Sequence, residues 1–313
     1  MQRELIDSPA RGAYVELETL IALRFIARQL KLTRRKRALA RLAGANQSNF
    51  RGRGIDFDEV RAYQPGDDIR SIDWRVTARS GEAHTKLFRE ERERPVLVVV
   101  DQRPDMFFGS RHCFKSVLAA QLAALFAWAA LEGGDRVGGL VFDGTRHRDL
   151  KPRRSRRSVL ALLSEITAYN HALPASGGNN SNGFSSMLSA LRRVVRPGSS
   201  VYLVSDFRGA ESEEAGKHLF QLAQHVQIMA VCCRDTLEEQ LPQAGNYAVT
   251  DGEQRSQLDT ADRRLRQRYQ QEEQAGRQQL QAQMARLGIP LLDAHTHESP
   301  FRLLQTYFGE SRR

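Results

Sequence analysis

Cysteine is scarce in this chain. The 313 residues hold three, Cys113, Cys232 and Cys233. None sits at metal-ligand spacing, so neither a disulfide framework nor a structural zinc site organises the fold. Cys232 and Cys233 lie inside an apolar, strand-like run and read as buried thiols in a reducing compartment. Long apolar stretches are missing too: none approaches the roughly 20 residues that span a bilayer. The opening MQRELIDSPARG has no apolar core of a secretory leader. The expectation is a cytoplasmic chain without a membrane span. No G-x-x-x-x-G-K-[ST] loop occurs, so the chain is not expected to hydrolyse ATP by itself. Internal repeats are absent as well.

What is present is a chain that can fold. Hydrophobic residues make up 41%, enough for a sizeable core. The formal net charge is +10 and the pI near 9.9, which favours acidic partners: nucleic acid, an anionic surface or an acidic protein. Two basic clusters stand out, KLTRRKR (31–37) and KPRRSRR (151–157). The first is read as a solvated helix face and the second as a solvated loop and helix start, with nucleic-acid binding kept as the alternative.

The chain is organised around the stretch from Gly52 to Asp105. It ends in the apolar, β-branched run Pro95 to Val100, closed by Asp101 in DQRPD. Such a run reads as a buried strand of a parallel sheet. Ligand-binding groups in open α/β sheets lie beyond the carboxyl ends of the strands, which places Asp101 and Asp105 there. A charged segment, Glu82 to Arg94, reads as a half-exposed strand feeding the buried one. Downstream, the Ala- and Leu-rich segment 114–131 predicts a helix apolar on most faces, and RVGGLVF (136–142) a strand. Together they form the βαβ unit of a parallel sheet. Helices follow at 155–168, 184–195 and 211–224, and strands at 201–204, 227–233 and 289–292. A short edge strand is expected at 246–249, a long polar helix at 258–287 interrupted by Gly276, and a terminal helix at 301–308.

Upstream, a helix is expected from Val15 to Leu42, then a loop from Gly44 to Gly54 and a strand to Tyr63. Pro65-Gly66 supplies a turn. Asp67 or Asp68 would cap a short helical turn holding Arg70, Asp73 and Trp74. The charged set Arg61, Asp67, Asp68, Arg70, Asp73 and Arg75, with Trp74, is either an exposed docking surface or an internal lattice between domains. The division expected is residues 1–94, an N-terminal helix with a small strand-and-turn subdomain, and residues 95–313, a doubly wound, mostly parallel α/β domain.

The string GIDFDEVRAYQPGDDIRSIDWRVTAR, followed by KLFREERER and an apolar strand ending in Asp, resembles a bacterial family. It is the von Willebrand factor A-like family catalogued as domain of unknown function 58, associated with MoxR-type AAA+ ATPases. The resemblance runs on through KSVLAAQLAA and GDRVGGLVF to LVSDF and covers roughly 44–310. It implies a Rossmann-like von Willebrand A fold. In metal-binding members of that fold the first strand ends in D-x-S-x-S, with a Thr and an Asp from two further loops. A hard divalent cation then sits among oxygens. Here Asp101 matches the first Asp and Asp206 the last. The two Ser positions are Arg103 and Asp105, and the second loop offers Asn179, Asn180 and Ser181. The expectation is a degenerate site at Asp101, Asp105 and Asp206, plugged by Arg103 in place of the cation. No cofactor is expected, with Mg²⁺ the remaining candidate.

Other enzyme readings are weaker. A phosphoaspartate nucleophile at Asp101 lacks the second acid, since residue 103 is Arg. His295 and His297, with Asp293 and Glu298, read as polar loop residues rather than a metal pair. The leading expectation is a non-enzymatic adaptor, working as the resemblance implies with a MoxR-type ATPase on client proteins. The alternatives are a basic module for nucleic acid or an anionic surface, and a metal-dependent hydrolase at Asp101, Asp105 and Asp206.

Overall fold

The computed structural model describes residues 6–32, 60–64, 72, 74–86, 94–172, 183–250 and 255–309. Helices α1 (Leu17–Ala22) and α2 (Arg24–Ala27) open the chain. Then come β1 (Val60–Ala62), α3 (Trp74–Ser80), β2 (His84–Lys86), β3 (Pro95–Asp101), α4 (Lys115–Glu132), β4 (Arg136–Phe142) and β5 (His147–Arg153). They are followed by α5 (Arg156–His171), α6 (Gly183–Val194), β6 (Ser200–Ser205), α7 (Glu213–His225) and β7 (Gln227–Arg234). The last are α8 (Thr236–Glu239), β8 (Asn246–Thr250), β9 (Arg255–Asp259), α9 (Arg263–Arg286), β10 (Leu291–His295) and α10 (Pro300–Phe308).

The chain divides into two compact units, residues 1–48 with 94–313, and residues 49–93. The N-terminal helices thus belong with the α/β unit, not with the small subdomain expected over 1–94. In the small unit β1 and β2 pair antiparallel, and α3 lies between them in sequence. Trp74 opens α3 with 69% of its surface exposed.

The large unit carries a six-stranded sheet in the order β10-β7-β6-β3-β4-β5, parallel throughout except for the antiparallel edge strand β5. This is the mixed, mostly parallel α/β architecture expected. Side chains alternate across β3 as the pleat requires. Val96, Val98 and Val100 enter the core formed with α4, α5, α10 and the N-terminal helices. Leu97 and Val99 enter the opposite core with α6, α7 and Met284 of α9. Helix α4 is apolar on all sides and buried along 16 of its residues, because helices cover the side that the sheet does not. Gly138 and Gly139 are required by close approach. A Cβ at Gly138 would run into the Leu150 carbonyl of β5, and one at Gly139 would meet Leu162 of α5 at 2.7 Å.

Candidate functional site

The carboxyl ends of β3 and β6 bring Asp101, Arg103 and Asp206 together. Asp101 is fully buried as the last residue of β3. The chain then folds back, so that Asp101 Oδ1 accepts from the Arg103 backbone N at 2.9 Å and from Arg103 Nε at 3.0 Å. Oδ2 accepts from Arg103 Nε at 3.0 Å and Nη2 at 2.7 Å, and from the Ser205 hydroxyl at 2.6 Å. The same Nη2 reaches Asp206 Oδ1 at 3.2 Å, and Nη1 donates to the Arg208 carbonyl at 2.9 Å. The guanidinium therefore lies between the two carboxylates. Phe142 and Phe184 flank it, with ring centroids 5.7 and 5.4 Å from its central carbon.

A second cation completes the cluster. Lys115, the first residue of α4, is entirely buried, and its Nζ donates to Asp206 Oδ2 at 2.9 Å and Glu238 Oε1 at 2.6 Å. Arg208 closes the outer side. Its half-exposed guanidinium reaches Glu238 at 3.0 Å, Asp105 at 3.3 Å and Asp206 at 3.8 Å. Asp105 sits in the 3₁₀ turn Pro104–Met106 and is turned to Arg208. Between Asp206 and Arg208 the backbone is strained: Phe207 has φ of 61°, a left-handed value costly for a bulky residue. Its N–H donates to the Ser205 hydroxyl at 2.9 Å and its ring packs 5.8 Å from Phe184, which hold the conformation.

The electrostatics follow from burial and pairing. Burial pushes the Asp101 carboxyl up, against the pull of Arg103. For Asp206, burial acts in the same upward sense, yet Lys115 and Arg103 overcome it and hold the carboxyl at about 2. Desolvation works against the charge of Lys115 and Arg103, but Asp206 with Glu238, and Asp101 with Asp206, raise them above their ordinary values. The fit to a divalent cation is poor. The guanidinium and ammonium groups already take the inward-facing carboxylate oxygens, and the one hydroxyl in the set, Ser205, is spent on Asp101. Among the described residues no group of three or more His, Cys, Asp or Glu side chains is arranged to hold a metal ion.

Of the other sequence candidates, Asn179, Asn180, Ser181, Asp67, Asp68, Arg70 and Asp73 lie outside the described residues, as does most of the basic run 31–37. Arg61 falls in β1 and Arg75 in α3. His295 ends β10 with its Nε2 3.2 Å from Glu239, while Asp293 pairs with Arg234 and Arg277. The three cysteines are buried, and burial pushes the Cys113 and Cys232 thiols up to about 12. Sequence reasoning missed Lys115, Arg208 and Glu238. Lys115 did leave a signal: a lone Lys at the start of an apolar helix, where the dipole disfavours a cation. Glu238 left a weaker one, as the third residue of a capping box begun at Asp235. Asp235 also accepts from Ser110 N at 2.9 Å and Thr296 Oγ1 at 2.5 Å, tying the loop after β3 to the end of β10.

Residues 59–279, which carry this cluster, match the family described as Protein of unknown function DUF58. The chain belongs to that family. The DUF58 chain is 30% identical over 226 residues to the uncharacterized protein Rv1480 of Mycobacterium tuberculosis, across 72% of this chain and 69% of that one. The same figures hold for Mb1516 of Mycobacterium bovis. Among solved structures, BatB from Bacteroides thetaiotaomicron aligns with a TM-score of 0.40 at 12% identity, over 68% of this DUF58 chain and 96% of BatB. An aerotolerance-related membrane protein from Bacteroides fragilis aligns with the same values.

Proposed function

We propose that this DUF58 protein is a non-enzymatic adaptor that works with a MoxR-type AAA+ ATPase in maturing or remodelling client proteins. One observation carries the non-enzymatic part. At the strand ends, where an open α/β sheet normally holds its ligand, Asp101 and Asp206 are paired to the chain's own Arg103 and Lys115. General acid–base catalysis needs a group that can give or take a proton within reach of a substrate. Here both carboxylates are buried and their donors are internal. What faces outward is the charged rim of Arg208 and Asp105, both about half exposed. A rim of fixed, paired charges suits recognition of a complementary protein surface, where it sets register and specificity. The partner itself is supplied by the family resemblance.

The test is capture of a purified MoxR-type ATPase, with and without ATP, by the wild-type chain and by Arg208→Ala combined with Asp105→Ala. Both side chains are half exposed, so this variant should melt within a few degrees of wild type. The proposal expects wild-type capture that responds to ATP and falls at least about tenfold in the variant, the equivalent of 1.4 kcal/mol. Capture unchanged in the variant, or no capture by wild type in either nucleotide state, overturns it.

A further inference from the structure

One of the two basic clusters of the chain lies at an edge of the sheet. Residues 146–157, RHRDLKPRRSRR, hold seven Arg and Lys side chains against the single carboxylate of Asp149. More than half of the net charge of +10 therefore lies in these twelve residues. Most of them form β5, the end strand of the six-stranded sheet, and the first turn of α5. Leu150 and Pro152 of β5 are half-buried while Lys151 and Arg153 are exposed, so the alternation of the strand points these two cations outward. Arg156 and Arg157 continue the exposed run past Ser155, whose hydroxyl accepts from Ser158 N and starts the helix.

Arg146 pairs with Asp143 at 2.8 Å and Arg148 with Glu165 at 3.6 Å, and Arg154 acts electrostatically on Asp135. Lys151, Arg153, Arg156 and Arg157 have no acidic partner among the described residues, and all four are exposed. Elsewhere in the large unit arginines such as Arg103, Arg208, Arg234, Arg277 and Arg302 are paired with carboxylates. Charges of an edge strand deter sheet-to-sheet association, and Lys151 with Pro152 would be sufficient for that. The excess continues beyond the strand, into a helix start where cations oppose the dipole. Concentrating like charges in this way raises the energy of the free protein, and an extended polyanion relieves it.

We infer that the edge formed by β5 and the start of α5 binds the phosphodiester backbone of nucleic acid without reading its sequence. Six of the seven cations are arginines, whose planar fork matches phosphate oxygens bidentately. An anionic membrane is the poorer match. Lipid surfaces are held by inserted apolar side chains as well as by charge, and the apolar residues of 146–157 are only the half-buried Leu150 and Pro152. This surface is separate from the carboxylate cluster, so the inference stands or falls independently of the adaptor reading.

Fluorescence anisotropy of a short labelled oligonucleotide duplex of DNA with the full chain tests it. If Lys151, Arg153, Arg156 and Arg157 each neutralise one phosphate, the log–log salt slope is about −3.6, and affinity falls about 150-fold between about 50 and 200 mM salt. Replacing these four by Gln is expected to abolish most of that binding and flatten the slope. A matched control, Arg193, Arg263, Arg264 and Arg286→Gln, removes the same charge from other exposed positions and should retain it. Thermal melting checks that both variants are folded. Equal loss in the two variants would reduce the effect to net charge and overturn the proposal. So would unchanged binding in the β5 variant, or a wild type that binds phosphatidylserine vesicles or polyglutamate but not the oligonucleotide.

Discussion

Replacing Arg103 by Ala leaves Asp101 buried, with Ser205 and a backbone N–H as its remaining hydrogen-bond donors. An uncompensated buried charge of this kind costs about 3–5 kcal/mol, so the variant should lose that much in denaturant unfolding. Arg103→Lys should recover only part, because a single ammonium cannot reproduce the fork that holds both Asp101 and Asp206. With the guanidinium in place, millimolar Mg²⁺ should leave the melting temperature unchanged, whereas a site filled at 100 times its Kd would add about 2.7 kcal/mol. A Mg²⁺-dependent rise that disappears in Asp101→Ala would show that the guanidinium is not the resident cation. Asp206 gives a pH prediction with a definite sign. Its folded carboxyl is held at about 2, below its ordinary 3.8, so the unfolded chain binds the proton more readily. The stability this brings, roughly 2 kcal/mol, is whole above about pH 4 and lost as pH falls through about 2. Asp206→Asn should flatten the stability curve over that window; a curve as steep as wild type would place the titration elsewhere. Asp101 could be read from the sequence because the end of a buried strand is recognisable, while Arg103 and Asp206 were joined to it through the family resemblance. Lys115 and Glu238 were hidden because their partners lie 91 and 123 residues apart from Lys115 along the chain.

The elements that the sequence made legible are those with strong local pattern. The β-branched run of β3 and the apolar helix α4 lie within a residue or two of their expected bounds. Strand β5 was not foreseen: HRDLKPR has a single aliphatic residue, a proline and no β-branched residue. It is a strand because β4 offers it a ladder, with tertiary pairing overriding local preference. The strand expected over 246–249 exists, but it pairs with β9 in a separate antiparallel hairpin rather than at the edge of the main sheet. That hairpin takes residues 258 and 259 from the long helix expected there. Gly276 does not interrupt α9, and a side chain at that position would meet nothing within 4 Å. At the other end, the helix expected from Val15 is two short ones divided at Leu23. Their place in the large unit was implicit in α4, since a helix apolar all round must be covered on both sides. The sheet is one of those covers and the N-terminal helices belong to the other.

At the scale of the whole unit, one core runs from Ala10 near the start of the chain to Phe308 near its end. The two ends clasp each other over α4. Lys31 N donates to the Phe308 carbonyl at 2.8 Å, Leu30 bridges to Gly309, the Ser299 hydroxyl donates to the Ile6 carbonyl, and Arg302 pairs with Asp7. Trp128 of α4 lies beneath, with its indole N–H donating to the Leu20 carbonyl at 3.0 Å. The chain has two tryptophans, and the other, Trp74, belongs to the small unit. In a Trp74→Phe background the fluorescence therefore reports the contact between the N-terminal helices and α4. Far-UV circular dichroism is dominated by the helices of the large unit. If the N-terminal helices were a detachable cover, fluorescence would change at lower denaturant than dichroism. A shared core with both ends engaged makes unfolding cooperative, and coincident transitions are the signature of that behaviour. The two curves should superimpose; a fluorescence midpoint clearly below the dichroism midpoint would mean that residues 6–32 open as a unit of their own.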